Sequence, residues 1–130
     1  MLNQKILSAT IAVERQSYAI LSEIEELTQD LSQAFSRRDQ VSVRLFLNMR
    51  QEQIIRLQEC KTTLDQHCAK LPAEDGTFLR RILAGEELDC PGGEALLTQI
   101  KRNKTILSRI LRADKALSIK MGGKNSFYAK

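Results

Sequence analysis

Apolar and small residues recur at alternating spacings of four and three over the first 34 positions of the chain. They fill two heptad positions: Ile6, Val13, Ile20, Leu27 and Ala34 at one, and Thr10, Ser17, Ile24 and Leu31 at the other. This spacing is typical of a long helix that packs at a shallow angle against another helix. The charged residues between these positions predict a solvated opposite face.

A turn is predicted where this pattern breaks, in the stretch "FSRRDQVSV". Ser36, Asp39 and Ser42 are residues that cap helices, so one helix is expected to end there and a second to begin. The predicted packing face of the second helix contains more polar residues than that of the first. This face consists of Phe46, Gln53, Leu57, Cys60, Leu64, His67 and Leu71.

The second half of the chain predicts a loop, a short helix and a third long helix. The stretch "LPAEDGT" contains Pro72 and Gly76 and is expected to be a loop, and residues 77–84 are expected to form the short helix. The last long helix starts near Glu94 and stops at Gly122 and Gly123. Its apolar face is formed by Leu96, Ile100, Asn103, Leu107, Ile110, Asp114, Leu117 and Met121.

These elements predict an all-α fold in one domain. A long antiparallel helical hairpin, a third long helix and one short helix would form an elongated bundle over residues 1–121, with residues 122–130 as a flexible tail. No apolar run approaches the ~20 residues of a membrane span. The weak N-terminal apolar patch is a poor signal peptide, and three cysteines suit free thiols in a reducing cytoplasm.

Charge is distributed unevenly along the chain. The net charge is +4, but residues 99–130 hold nine basic residues and the single acid Asp114, which gives +8, whereas residues 1–98 carry −4. A basic end on an acidic body predicts internal pairing or an acidic partner. Nucleic acid is a weaker interpretation, since the basic residues between Lys101 and Lys120 alternate with apolar ones and no recognition motif accompanies them.

No catalytic or metal site is predicted. Cys60, His67, Cys68 and Cys90 lack the ligand spacings of three or four, and ligands seven residues apart on a helix are separated by ~10.5 Å along its axis. The chain has one histidine and no phosphate-binding or nucleophile motif, so we expect neither an enzyme nor a cofactor.

Two polar residues, Asn103 and Asp114, interrupt the apolar face of the last helix. They could control the register of the bundle, as a buried asparagine does in coiled coils. Alternatively, this face is only partly covered by the protein itself, because a buried unpaired aspartate would be costly. The sequence leaves both interpretations open.

The layout resembles the FlgN-type flagellar export chaperones. The resemblance is carried by "LSEIEELTQDLSQAF", "LFLNMRQEQIIRLQECKTTL" and "LLTQIKRNKTILSRILRADKALSIKMGGKNSFYAK", and is anchored by Asn103 and Tyr128. It implies a cytoplasmic chaperone, without ATPase activity, that binds the C-terminal helices of hook–filament junction subunits before export. Binding would use the last long helix and the tail. The client-binding residues would be Leu96, Ile100, Asn103, Leu107, Ile110, Leu117, Met121, Phe127 and Tyr128.

The tail carries two of the six aromatic residues, Phe127 and Tyr128. They could anchor a client, because aromatic side chains bury much area at small entropic cost. They could equally fold back and cap the bundle. Two other functions also remain: a structural coiled-coil protein that self-associates through the same apolar face, and a nucleic-acid-binding bundle. A client-binding chaperone or adaptor is instead expected to be a monomer or a small homo-oligomer.

Overall fold

Residues 2–122 form a bundle of four helices. The computed structural model describes residues 2–122, with α1 at Gln4–Ser36, α2 at Gln40–Ala69, α3 at Ala73–Leu83 and α4 at Glu94–Lys120. Residues 2–122 contain no strand, so the predicted all-α class is confirmed. None of these helices is both long and apolar enough to cross a membrane.

Helix α1 is the central element of the bundle, and both α2 and α4 pack against it. A turn at residues 37–39 makes α1 and α2 the predicted antiparallel hairpin. Asp39 caps α2 by accepting hydrogen bonds from the Ser42 backbone (3.1 Å) and hydroxyl (2.6 Å). Helix α4 runs parallel to α1, since Glu14 contacts Asn103 and Glu25 contacts Arg109 further along both helices.

The buried face of α1 is wider than the sequence predicts. Besides most of the predicted positions, Leu7, Leu21 and Thr28 are buried. A helix with one neighbour needs two apolar positions per heptad, whereas a helix with two neighbours needs a third. The additional positions reflect the packing of α2 and α4 on different sides of α1.

Two apolar clusters account for much of the core of residues 2–122. The first, at the start of α1, is made by Leu2, Leu7, Cys68, Leu79, Ile82, Cys90, Leu96 and Ile100. The second, near the middle of the bundle, is made by Ile20, Leu21, Ile24, Cys60, Ile106 and Ile110. The first cluster joins all four helices, which fixes the short α3 at that end.

The predicted loop before α3 is wrong, because helix α3 already begins at Ala73. Pro72 precedes the first turn, and Glu74 and Asp75 lie within it, where their charges suit the helix dipole. Gly76 lies within α3, and a glycine is needed at this position because α3 passes close to the end of α2. A Cβ at Gly76 would lie 2.6 Å from the carbonyl oxygen of Cys68.

Helices α1 and α3 end in the same hydrogen-bonded motif but with different residues. After α3, Gly85 takes a left-handed conformation, and the amides of Gly85 and Glu86 bond back to Ile82 and Arg81. After α1, the equivalent left-handed position is occupied by Arg38, at φ 57°. This position usually holds glycine, because any Cβ is unfavourable there.

Candidate functional site

Helices α2 and α4 flank a groove whose floor is α1. Arg50 of α2 and Asp114 of α4 form an ion pair across this groove. Their side chains are 4% and 0% exposed. This bridge divides the groove into two pockets. We call the whole feature the α2–α4 groove, and its parts the central pocket and the end pocket.

The central pocket has a volume of about 500 Å³. Its apolar walls come from Leu57 and Leu64 of α2 and from Ile100 and Leu107 of α4, and its floor includes Leu21 of α1. Polar residues line the central pocket as well. They include Glu14, Ser17, Lys61, Asp65, Asn103 and Lys104.

The end pocket has a volume of about 670 Å³ and lies where α1 turns into α2 and α4 ends. Its apolar lining consists of Phe35, Val43, Leu47 and Met121. Its polar lining consists of Ser36, Arg38, Gln40, Arg44 and Lys120. The pocket therefore combines an apolar lining with three basic side chains.

Asn103 ties α4 to α1 beside the central pocket. Its amide nitrogen donates to the Glu14 carbonyl oxygen (2.8 Å) and to Glu14 Oε2 (3.0 Å), and its oxygen accepts from Gln99 (2.9 Å). Burial raises the pKa of Glu14 above its ordinary value, while the hydrogen bond from Asn103 acts in the opposite direction.

Glu14→Gln is expected to raise the melting temperature at pH 7. Because its folded-state pKa is raised, ionised Glu14 disfavours the folded state, and stability is lost as pH rises from about 4.5, the ordinary value, through the folded-state pKa. The side-chain oxygen of the introduced glutamine would still accept the bond from Asn103. Thermal melts of both proteins from pH 4 to 8 check this. Equal stability at every pH would contradict it.

The structure places most residues of the predicted client-binding set in the core. Five are buried against the rest of the bundle: Leu96, Ile100, Asn103, Ile110 and Leu117. Leu107 is 39% exposed on the wall of the central pocket, and Met121 is half-buried in the end pocket. Phe127 and Tyr128, with the rest of the predicted tail beyond Gly122, lie outside the described residues.

This arrangement separates two kinds of residue within the predicted set. Leu96, Ile110 and Leu117 line neither pocket and could contact a partner only if α4 moved away from α1, whereas the buried Ile100 and Asn103 belong to the lining of the central pocket. Leu107 and Met121 already face the α2–α4 groove. The lining residues Phe35, Val43 and Leu47 were not predicted, although Val43 and Leu47 show the spacing of four that marks one helix face.

The polar residues Asn103 and Asp114 both find partners inside the protein. Asn103 bonds Glu14 and Gln99, and Asp114 pairs with Arg50. At these two positions the protein itself covers the apolar face of α4, so the interpretation of a partly covered face does not hold there. The polar positions thus fix how α4 sits against α1 and α2.

Two cations of the basic run on α4 pair with acids elsewhere in the protein, and a third lies against an aromatic ring. Arg109 binds Glu25 at 2.8 Å, and these hydrogen bonds lower the pKa of Glu25. Lys101 pairs with Glu87 at 2.8 Å, and the Arg102 guanidinium lies 4.7 Å from the centre of the Tyr18 ring. The two ion pairs reduce the positive charge that α4 presents to a nucleic acid.

The three cysteines are free and buried. Burial raises the pKa of the Cys68 and Cys90 thiols, which disfavours the reactive thiolate. Within residues 2–122, no three side chains of the metal-binding types come together. These thiols therefore pack as small apolar groups in the core.

Helix α2 also exposes apolar residues on the side away from the core. Val41, Leu45 and Met49 follow one another at spacings of four, and Val41 is 82% exposed. Ile55 lies on the same side of the helix. We call these four residues the outer row. They form a second apolar surface, but one without walls.

Comparison of the chain with protein-family models, curated proteins and solved structures gives no match. The function therefore has to be inferred from the geometry of the groove and from its chemistry.

Proposed function

We propose that this protein is a binding module, a helical chaperone or adaptor that receives an amphipathic helix of a partner protein in the α2–α4 groove. The observation that carries this proposal is the groove itself, two pockets with apolar and polar linings between two helices that share α1 as their floor. Following the resemblance to FlgN-type chaperones, we propose that the partner is a hook–filament junction subunit and that the protein acts in the cytoplasm, without catalysis.

The apolar side chains that line both pockets suit an amphipathic helix. Peptide helices bind grooves through apolar side chains spaced three, four and seven residues apart. The two pockets, of about 500 and 670 Å³, each fall in the range of ligand-binding cavities. A helix lying along the groove would insert side chains into both pockets and pass over the Arg50–Asp114 bridge.

Leu107 is the residue best placed to contact such a helix without supporting the fold. It projects from α4 into the central pocket opposite Leu57 and Leu64, yet its side chain is partly exposed. Ile106, its neighbour in sequence, holds the core position instead. A change at Leu107 should therefore alter binding more than stability.

Leu107→Glu is expected to weaken binding of a client helix at least about tenfold, since a charge would enter the apolar contact (about 1.4 kcal/mol per tenfold). The probe is a fluorescent peptide of a hook–filament junction subunit's C-terminal helix, titrated by anisotropy. Ile119→Glu is the matched control, because Ile119 is on α4, is 74% exposed and does not line the groove.

The control should bind as the unmodified protein does, and both variants should keep its helical circular dichroism spectrum. If Leu107→Glu binds with unchanged affinity, or if both variants lose affinity equally, the groove is not the binding site.

A further inference from the structure

We infer that the end pocket selects partner helices that carry acidic residues beside their apolar face, with Arg38, Arg44 and Lys120 as the specificity-determining residues. This inference rests on the proposed function and adds the chemical character of the partner. It follows from three features of the end pocket: cations without carboxylate partners, an apolar lining, and an arginine held in a conformation that favours glycine.

The three cations have no carboxylate partner within residues 2–122. Arg38 and Arg44 make no ion pair there. Lys120 donates to the Ser32 carbonyl oxygen (3.0 Å) and hydroxyl (3.2 Å) and to the Ser36 hydroxyl, all of which are neutral acceptors. The pocket therefore keeps three positive charges that the described part of the chain does not neutralise.

The nearest acid in sequence is already engaged. Asp39 caps α2 through Ser42 and lies 3.7 Å from Arg37. The hydrogen bonds from Ser42 are the main cause that lowers the pKa of Asp39, so Asp39 stays ionised as the cap of α2. It is therefore committed to the helix cap and to Arg37.

Basic residues elsewhere on the surface are only partly paired. Arg80 pairs with Asp65 and Arg81 with Glu86, whereas Arg56 is exposed and makes no ion pair within residues 2–122. The end pocket differs because three such cations surround one group of apolar side chains, where a partner can supply negative charge and apolar contacts together.

Arg38 adds an independent indication. It occupies the left-handed position after α1, while glycine occupies the equivalent position after α3. Glycine would relieve the unfavourable conformation of Arg38. The arginine side chain thus stands on the rim of the end pocket at the expense of local stability, which suits a role in binding.

The apolar lining favours a protein helix over nucleic acid. Phe35, Val43, Leu47 and Met121 offer no groups for a phosphate backbone, and three cations make a small site for a polyanion. The chain's own residues 123–130 carry two lysines and no acidic side chain. They lack the charge that the pocket requires.

The experiment uses two 18-residue amphipathic helical peptides with the same leucine face, one flanked by glutamates and the other by glutamines. Anisotropy titration of the full chain is expected to give at least about tenfold tighter binding of the glutamate peptide (about 1.4 kcal/mol). Arg38→Gly, Arg44→Gln and Lys120→Gln should each reduce this preference. Arg112→Gln, an exposed change on α4 outside both pockets, should not.

Arg38→Gly provides a readout that separates binding from folding. It is expected to raise the melting temperature while it reduces the preference for the glutamate peptide. If Arg38→Gly lowers both the melting temperature and the preference for the glutamate peptide, Arg38 has a structural role. In that case the inference rests on the other two cations, and it is overturned if Arg44→Gln and Lys120→Gln leave the preference for the glutamate peptide unchanged.

The remaining outcomes are distinct. Equal affinity for the two peptides, with Leu107→Glu still weakening both, overturns the inference and leaves the proposed function standing. A glutamate preference that is insensitive to Leu107→Glu supports the end pocket and contradicts binding along the whole groove. Failure of both peptides to bind overturns both. Tighter binding of duplex DNA than of either peptide, or self-association that Arg44→Gln abolishes, overturns the inference in favour of another occupant.

Discussion

Asp114→Ala is expected to reduce the free energy of unfolding by about 3–5 kcal/mol, because it would leave the Arg50 guanidinium buried without its carboxylate. Both side chains are almost completely buried. Removing one partner of a buried ion pair costs several kcal/mol of stability, because the remaining charge cannot return to water. Replacing both partners with apolar residues often costs little. Urea unfolding followed by circular dichroism measures this loss.

Two control variants separate the burial effect from the general loss of a carboxylate. Glu25→Ala removes the partner of Arg109 in an exposed pair and should cost no more than about 1 kcal/mol. The double variant Arg50→Met with Asp114→Leu should stay close to the unmodified protein, because apolar residues of similar volume often replace a buried ion pair without loss. A cost below about 1 kcal/mol for Asp114→Ala would show that Arg50 reaches water.

Ile82→Ala is expected to reduce the free energy of unfolding by about 2–5 kcal/mol, the range for a fully buried isoleucine. Helix α3 has 11 residues, too few for a stable isolated helix. Two of its residues, Leu79 and Ile82, are completely buried in the cluster that joins all four helices. Losing one of these contacts should therefore weaken the whole bundle.

Ile119→Ala is the control for this cavity, because Ile119 is largely exposed and its truncation should cost less than about 0.5 kcal/mol. Chemical denaturation measures both variants. If Ile82→Ala leaves the global transition in place and only increases hydrogen exchange within α3, this helix folds independently of the bundle.

The long helices could be predicted from the sequence because their apolar spacing and their capping residues are local features of the chain. The 4-3 pattern of α1, the capping residues around Asp39 and the start of α4 at Glu94 all depend on neighbours within one or two turns. The start of α3 could not be predicted, because Gly76 is explained by an approach to the Cys68 carbonyl oxygen, a contact between two helices.

The groove was predictable only in part. Asn103 and Leu107 lie at alternating positions of one seam, yet α4 is rotated so that Ile106 enters the core and Leu107 faces the groove. The spacing of four and three shows that one face of a helix is apolar, but it does not show which neighbouring helix covers that face. The Arg50–Asp114 bridge had a signal in retrospect, since Arg50 stands seven residues before Leu57, in line with apolar positions, and opposite in charge to Asp114.

The central claim is that a partner helix binds along the α2–α4 groove. Its most direct test is the change in backbone amide chemical shifts of the isotope-labelled protein when a client helix peptide is added. We expect the largest changes at Leu57, Leu64 and Leu107, around the central pocket. Changes confined to the outer row of α2, at Val41, Leu45, Met49 and Ile55, with the groove amides unmoved, would contradict the claim.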